Sequence, residues 1–240
     1  MDSPEPLKSE GEVTFPAARP PAPLTRPLYS YADADYLAGV GRGTSKRWLE
    51  GYSYRRGRGQ RVKMPPVTPG EMRPTGVSFV DFIEIIAIGR LRTIGLTLND
   101  VRTVVVRCQQ EFQVQHPLAS LKFKVGGRDT FVERDGVLHD VLRRPKGHVA
   151  WDEILNPFLE TLDYQGAYAH RWWPLGRDGL VVIDPEYAFG LPVIANSGVR
   201  TEIILERIRA GETDEQIASD FNVSRPEIHE AMKFELIRSA

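Results

Sequence analysis

The chain has 240 residues, a formal net charge of −1, 41% hydrophobic residues and 26% charged residues, a balance that excludes general disorder and allows one large domain or two to three small ones. No run of about 18 apolar residues exists to span a membrane, and the N-terminus MDSPEPLKSE lacks a secretory pattern. A single cysteine, Cys108, excludes a disulfide framework and a Cys-based zinc site, so a cytoplasmic protein is expected.

The charge is unevenly divided. Residues 1–73 carry 12 Lys/Arg against 8 Asp/Glu, residues 74–183 carry 13 of each, and residues 184–240 carry 6 against 11. Within 42–73, nine basic side chains (Arg42, Lys46, Arg47, Arg55, Arg56, Arg58, Arg61, Lys63 and Arg73) meet only Glu50 and Glu71. Such a window in a near-neutral chain points to phosphate, a solvated loop being the plainer alternative.

Residues 1–27 hold seven of the 18 prolines and read as a disordered, Pro-rich tail. Ser30–Val40 reads as a short helix, and Gly41-Arg42-Gly43 as a sharp turn. Thr44 or Ser45 can cap a second helix that carries Trp48 and Leu49 inward and ends at Gly51. Helix, glycine turn, helix is the helix-turn-helix pattern, with Lys46 and Arg47 near the start of the second helix, where base-contacting residues sit. Gly51–Tyr54 and Arg61–Met64 flank a Gly/Arg loop and predict a β-hairpin wing.

Ser78–Ile94 predicts a strong helix capped by Ser78 and Asp81, with Phe82, Ile83, Ile86, Ile88 and Leu91 inward. Thr97 and Asp100 repeat the cap for a helix running to about Gln115. On it Leu98, Val101, Val105, Cys108 and Phe112 are spaced 3, 4, 3, 4, a heptad seam fit for a dimer partner or for packing within its own chain. Residues 117–183 look like a small α+β module. LKFKV and TFVER flank Gly126–Gly127 as a hairpin, Trp151–Leu162 is a helix, and AHRWWPL and GLVVIDP are strands. The aromatics Trp151, Tyr164, Tyr168, Trp172 and Trp173 belong to a core or interface, or line a small-molecule pocket. In residues 184–240, Thr213/Gln216 and Ser224/Glu227 cap two helices across the Asn222–Val223 turn, a further helix-turn-helix. Its second helix is expected to expose Arg225, His229, Glu230, Lys233 and Glu235 and to turn Ile228, Ala231, Met232 and Leu236 inward. The acidic balance of this unit favours a protein-binding or scaffold role over DNA.

Two resemblances follow from these residues. Residues 79–102, FVDFIEIIAIGRLRTIGLTLNDVR, with Leu91-Arg92-Thr93-Ile94-Gly95-Leu96-Thr97-Leu98 at their centre, resemble the dimerisation-side helices of MerR-like winged regulators. That resemblance implies a fold over 28–116 whose second helix enters the major groove. Arg42, Thr44, Ser45, Lys46 and Arg47 would contact the groove or phosphates, and Tyr54, Arg55, Arg56, Arg58, Arg61 and Lys63 would act from the wing. Residues 183–234, with Gly190-Leu191-Pro192-Val193-Ile194 and Gly211-Glu212-Thr213 through Ile217-Ala218, resemble a small helix-turn-helix family of uncharacterised function that accompanies PIN-like ribonuclease toxins. The two together are similar to long VapB-type antitoxins. The resemblance implies a homodimeric, DNA-binding repressor that binds operator duplex through 28–116, joins its copies through the 98–112 seam, and neutralises a PIN-like toxin. A ligand-responsive MerR-like transcription factor with an effector pocket in 117–183 is the alternative.

No catalytic or cofactor pattern emerges. The five histidines have no metal-ligand spacing, and neither a phosphate-binding G-x-x-x-x-G-K-[ST] loop nor a G-x-S-x-G elbow exists. Cys108 on the apolar seam reads as an inert thiol, and Asp135, Asp140, Asp152 and Glu153 as solvated carboxylates rather than a magnesium site. The expected fold class is α+β, multi-domain.

Overall fold

The computed structural model of the chain describes residues 19–57, 59–68, 76–93, 95–121, 123–124 and 154–239. These residues form an α+β fold in which every ribbon is a two-stranded antiparallel pair. In chain order come α1 (Ala22–Thr25), β1 (Pro27–Tyr29), α2 (Tyr31–Ala38), α3 (Thr44–Glu50), β2 (Tyr52–Arg56), β3 (Gln60–Met64), β4 (Val77–Ser78), α4 (Phe79–Thr93) and α5 (Leu98–Phe112). After a 3₁₀ turn at Pro117–Ala119 follow α6 (Asn156–Glu160), β5 (Leu162–Gln165), β6 (Tyr168–Trp172), β7 (Val181–Val182), β8 (Val193–Ile194), α7 (Thr201–Arg209), α8 (Asp214–Phe221) and α9 (Arg225–Ser239).

The organising element is α4. Asp81 Oδ2 accepts from the Ser78 hydroxyl at 2.7 Å and from its N–H at 3.3 Å, which fixes the helix start where the sequence places it. Every residue from Phe79 to Ile88 is buried, as is Leu91. A helix buried on all sides is a core helix, and each of its aliphatic side chains contributes about 1.5–3 kcal/mol by leaving water. α1, α2, α3, α5 and β6 all pack on it.

One hydrophobic core runs from Leu24 through α4 and α5 to Leu118, Phe123, Leu155, Trp172 and Ile183. The packing therefore crosses position 116 without a break. It also begins earlier than Leu28, because α1 inserts Leu24 into this core and Pro27 pairs with Ser78. The folded part of the chain thus includes residues expected in the tail. A second cluster, Ile194, Ile204, Ile217, Val223, Ile228 and Ala231, lies under α7, α8 and α9.

Three local expectations are corrected. α2 ends at Ala38 rather than Val40, because Gly39 takes the left-handed backbone (φ 64°) that closes the helix. Leu121, Phe123 and Lys124 are helical, not the first strand of a hairpin; the 3₁₀ turn feeds them in with Leu118 and Phe123 buried together. Glu235 is buried and Leu236 is 54% exposed, the reverse of the expected faces. The cause is that α9 also packs toward α2: Glu235 accepts from the Thr201 hydroxyl (2.5 Å) and the Tyr36 hydroxyl (3.2 Å), and Arg238 lies over the Tyr36 ring at 4.1 Å. The rest of the expected hairpin around Gly126–Gly127, Trp151 and the carboxylates Asp135, Asp140, Asp152 and Glu153 lie outside the described residues.

Candidate nucleic-acid interface

α2 and α3 form the first part of the site. Ser30 and Asp33 make a reciprocal capping box on α2. The turn at 39–43 then reverses the chain, and the buried Asp35 carboxylate reaches across it to accept from the N–H of Gly43 (2.5 Å) and of Ser45 (2.7 Å). It thereby satisfies N–H groups that a helix start leaves without partners. Thr44 and Ser45, expected as cap and as groove contacts, are buried against this turn, and Gly43 occupies the cap position. Trp48 and Leu49 point inward as expected. Arg42, Lys46 and Arg47 are exposed. Arg47 curls back onto the Gly43 carbonyl and Thr44 Oγ1, both at 3.2 Å, and Lys46 lies 3.9 Å from Glu50.

The hairpin β2–β3 is the second part. Its register pairs Tyr52 with Met64, Ser53 with Lys63, Tyr54 with Val62, Arg55 with Arg61 and Arg56 with Gln60. Side chains of paired residues share a face, so Arg55, Arg61 and Lys63 stand together on one side with Ser53. Tyr52, Tyr54, Arg56, Gln60, Val62 and Met64 make the other side, with the two tyrosine rings 6.2 Å apart. Like charges directly opposite each other destabilise a ribbon. Arg55, Arg56, Arg61 and Lys63 are exposed and make no ion pair with a described residue. Arg58 and Arg73 lie outside the described residues.

The wing is fastened at its root from three directions. Gly51, at φ 77°, lets the Met64 carbonyl approach so closely that an added Cβ would stand 2.4 Å from it. The Val67 N–H donates to the Trp48 carbonyl of α3 at 2.7 Å. Arg102, from α5, donates to the Pro65 carbonyl (Nη2, 2.8 Å) and the Pro66 carbonyl (Nε, 3.0 Å). Sequence reasoning missed Arg102 and Asp35. Both act across tens of residues or across a turn, and no local spacing announces them.

The α5 seam is corrected. Val101, Val105, Cys108 and Phe112 are buried in the chain's own core and Leu98 packs against it, so this stripe is already covered and does not offer itself to a second copy. Burial also pushes the Cys108 thiol up to about 12, with Glu111 nearby adding to the shift, which fits an inert side chain.

Elsewhere, Asp81, Glu84 and His116 come together beneath α4, a grouping the sequence did not show. His116 Nδ1 is 3.1 Å from Glu84 Oε2 and 3.8 Å from Asp81 Oδ1, while Glu84 Oε1 also accepts from the Leu118 N–H at 3.3 Å. These contacts tie the 113–120 connection to α4. Of the central aromatics, Tyr168 and Trp172 are core, with Trp172 5.6 Å from Phe82, and Trp173 Nε1 donates to Asp163. A shallow cleft of about 400 Å³ opens between the 19–24 segment and the β5–β6 ribbon, lined by Gln165, Tyr168, His170 and Glu186. In the C-terminal unit, Arg225 pairs with Glu215, His229 with Asp214, and Arg207 with Glu212 and Asp220. Arg200, Arg209 and Lys233 are exposed there with no ion pair among the described residues. No helix among the described residues is long and apolar enough to cross a membrane.

Comparison with known proteins places the C-terminal unit first. Residues 181–234 match the family described as "Protein of unknown function (DUF433)", which coincides with the stretch that stood out in the sequence. Over most of its length the chain is similar to the Mycobacterium tuberculosis H37Rv protein named "Putative antitoxin VapB45", with 27% identity over 222 residues, 86% of this chain and 92% of that protein. It is also 24% identical over 230 residues to "Uncharacterized protein Rv2308" of the same organism, covering 88% and 91% of the two chains. The crystal structure of Rv2018 from Mycobacterium tuberculosis shares the fold, with a TM-score of 0.63, 22% identity and coverage of 86% of this chain and 98% of that one.

Proposed function

We propose that the chain is a non-enzymatic, DNA-binding repressor and the antitoxin of a toxin–antitoxin pair. Its residues 28–116 act as a MerR-like winged helix-turn-helix, and its partners are operator duplex, a PIN-like ribonuclease toxin and a second copy of itself. The observation that carries the DNA half is the ribbon on which Arg55, Arg61 and Lys63 share a face without acidic partners among the described residues. Opposed guanidinium groups repel until an anion bridges them, and duplex DNA supplies phosphates along its backbone. Lys46 and Arg47 on α3 extend the cationic surface, so helix and wing divide the work of groove and backbone contact. The toxin half is supported by similarity along nearly the whole chain to a relative that bears the name antitoxin. With the α5 stripe occupied, the homodimer is assigned to another surface.

The test is a titration of the full-length chain against a duplex covering its own upstream region. Tight binding by the parent chain and at least about tenfold weaker binding by Arg55→Ala/Arg61→Ala is the expected result. Equal binding by both removes the wing from the interface. The effector-sensing reading keeps one supporting observation, the cleft beside Tyr168 and His170. A small molecule retained by the purified chain and releasing it from that duplex would favour this reading.

A further inference from the structure

Between β7 and β8 the segment Asp184–Gly190 makes a tight excursion whose tip the packing does not require. Ala188 and Phe189 both adopt left-handed backbone, with φ of 45° and 58°, a conformation that residues bearing a Cβ avoid. The reward for that strain is not burial: Phe189 is 78% exposed and Tyr187 is 53% exposed. The base of the loop is nonetheless stiff. Arg171 donates twice to Asp184 Oδ2 (2.9 and 2.8 Å), and Asp184 Oδ1 accepts from the Glu186 N–H (2.9 Å). The Tyr29 hydroxyl donates to the Gly190 carbonyl at 2.8 Å, and the Tyr187 ring lies so close over Gly198 that a Cβ there would meet it at 2.6 Å. A rigid pedestal thus holds an unpacked phenyl ring in water. Pre-ordered aromatic side chains are the usual anchors of protein interfaces.

The unit that carries the loop has a net acidic charge, which suits a cationic partner. Residues 184–240 carry 11 acidic against 6 basic side chains, and Glu186 is exposed within the loop itself. A ribonuclease must hold the phosphates of its substrate on a cationic face and stack bases on apolar or aromatic surface. We propose that the Tyr187–Phe189 loop is the anchor by which this chain docks on the RNA-binding face of its toxin. Phe189 enters an apolar pocket there, and the acidic unit behind it covers the basic rim, so that RNA is excluded. The proposal rests on the toxin–antitoxin reading and gives that reading a surface.

The probe is the protein encoded by the reading frame adjoining this chain's gene, purified and mixed with the full-length chain. The parent chain should bind it, more weakly as salt rises, and suppress its cleavage of RNA. Phe189→Gly should bind it at least about tenfold more weakly while keeping an equal or higher thermal midpoint, because glycine accepts the left-handed backbone without strain. Phe189→Tyr should retain most of the affinity. Undiminished binding by Phe189→Gly overturns the proposal while leaving the toxin–antitoxin reading intact. A parent chain that neither binds nor inhibits that protein overturns both. Self-association of the chain that Phe189→Gly abolishes, with binding of the neighbour protein unaffected, assigns the loop to a second copy and also overturns it.

Discussion

Gly51 stands where one added carbon does the most damage. Its φ of 77° and the 2.4 Å that would separate a Cβ from the Met64 carbonyl act together. Gly51→Ala is therefore expected to cost about 1–3 kcal/mol, read as a lower urea midpoint, whereas Gly57→Ala at the wing tip meets open space and should cost less. Equal effects at the two positions would contradict the close approach at the wing root. Cys108 makes a pH prediction. The fold accommodates its protonated form, raising the thiol from 9.0 to about 12. The stability it contributes is complete below pH 9 and is lost as pH climbs toward 12. Cys108→Ala should show a shallower fall in denaturation midpoint across that window, and a thiol reagent should label the native parent chain far more slowly than the unfolded one. Some features at this scale were legible in the sequence. The caps Ser78/Asp81, Thr97/Asp100 and Thr213/Gln216 form as spaced, because a capping box is closed by neighbours three residues apart. Asp35 was not legible, since its carboxylate caps a helix other than its own.

At the scale of elements, the wing and α5 form one mechanical unit. Arg102 holds the Pro65 and Pro66 carbonyls while Val67 is bonded to α3, so the wing's attitude toward α3 is set partly from α5. Arg102→Ala should speed hydrogen exchange at the Val67 amide and weaken duplex binding several-fold, with a thermal midpoint within a few degrees of the parent. Combined with Arg55→Ala/Arg61→Ala, its loss should be less than additive, and strict additivity would separate the clamp from the wing's role. The seam on α5 gives a second prediction. Val105→Ala should destabilise by about 1–3 kcal/mol while leaving the self-association constant of the chain unchanged, because the stripe is buried within one chain. Self-association weakened by this substitution would restore the seam to a dimer. The 3-4 spacing of Leu98 to Phe112 correctly gave a helix with an apolar stripe, but spacing alone does not say whose helix covers it. On α9, the inner face changes along the helix as the packing passes from α8 to α2, which a single period cannot register.

At the scale of the molecule, charge is partitioned as the chain is read: a cationic ribbon near one end, and a helical unit of net acidic charge near the other. The sequence made this division visible because net charge needs no fold to be counted. It did not show the common core, because the contacts of Leu24, Trp172 and Phe82 join residues far apart in the chain. The account stands on the ribbon's cations being held for phosphate. The direct measurement is the dependence of duplex affinity on salt for the parent chain and for Arg55→Ala/Arg61→Ala/Lys63→Ala. Each lost phosphate contact removes about 0.9 from the slope of log affinity against log salt, so the triple variant should be shallower by about 2 to 3. An unchanged slope, with the variant folded, would contradict the account.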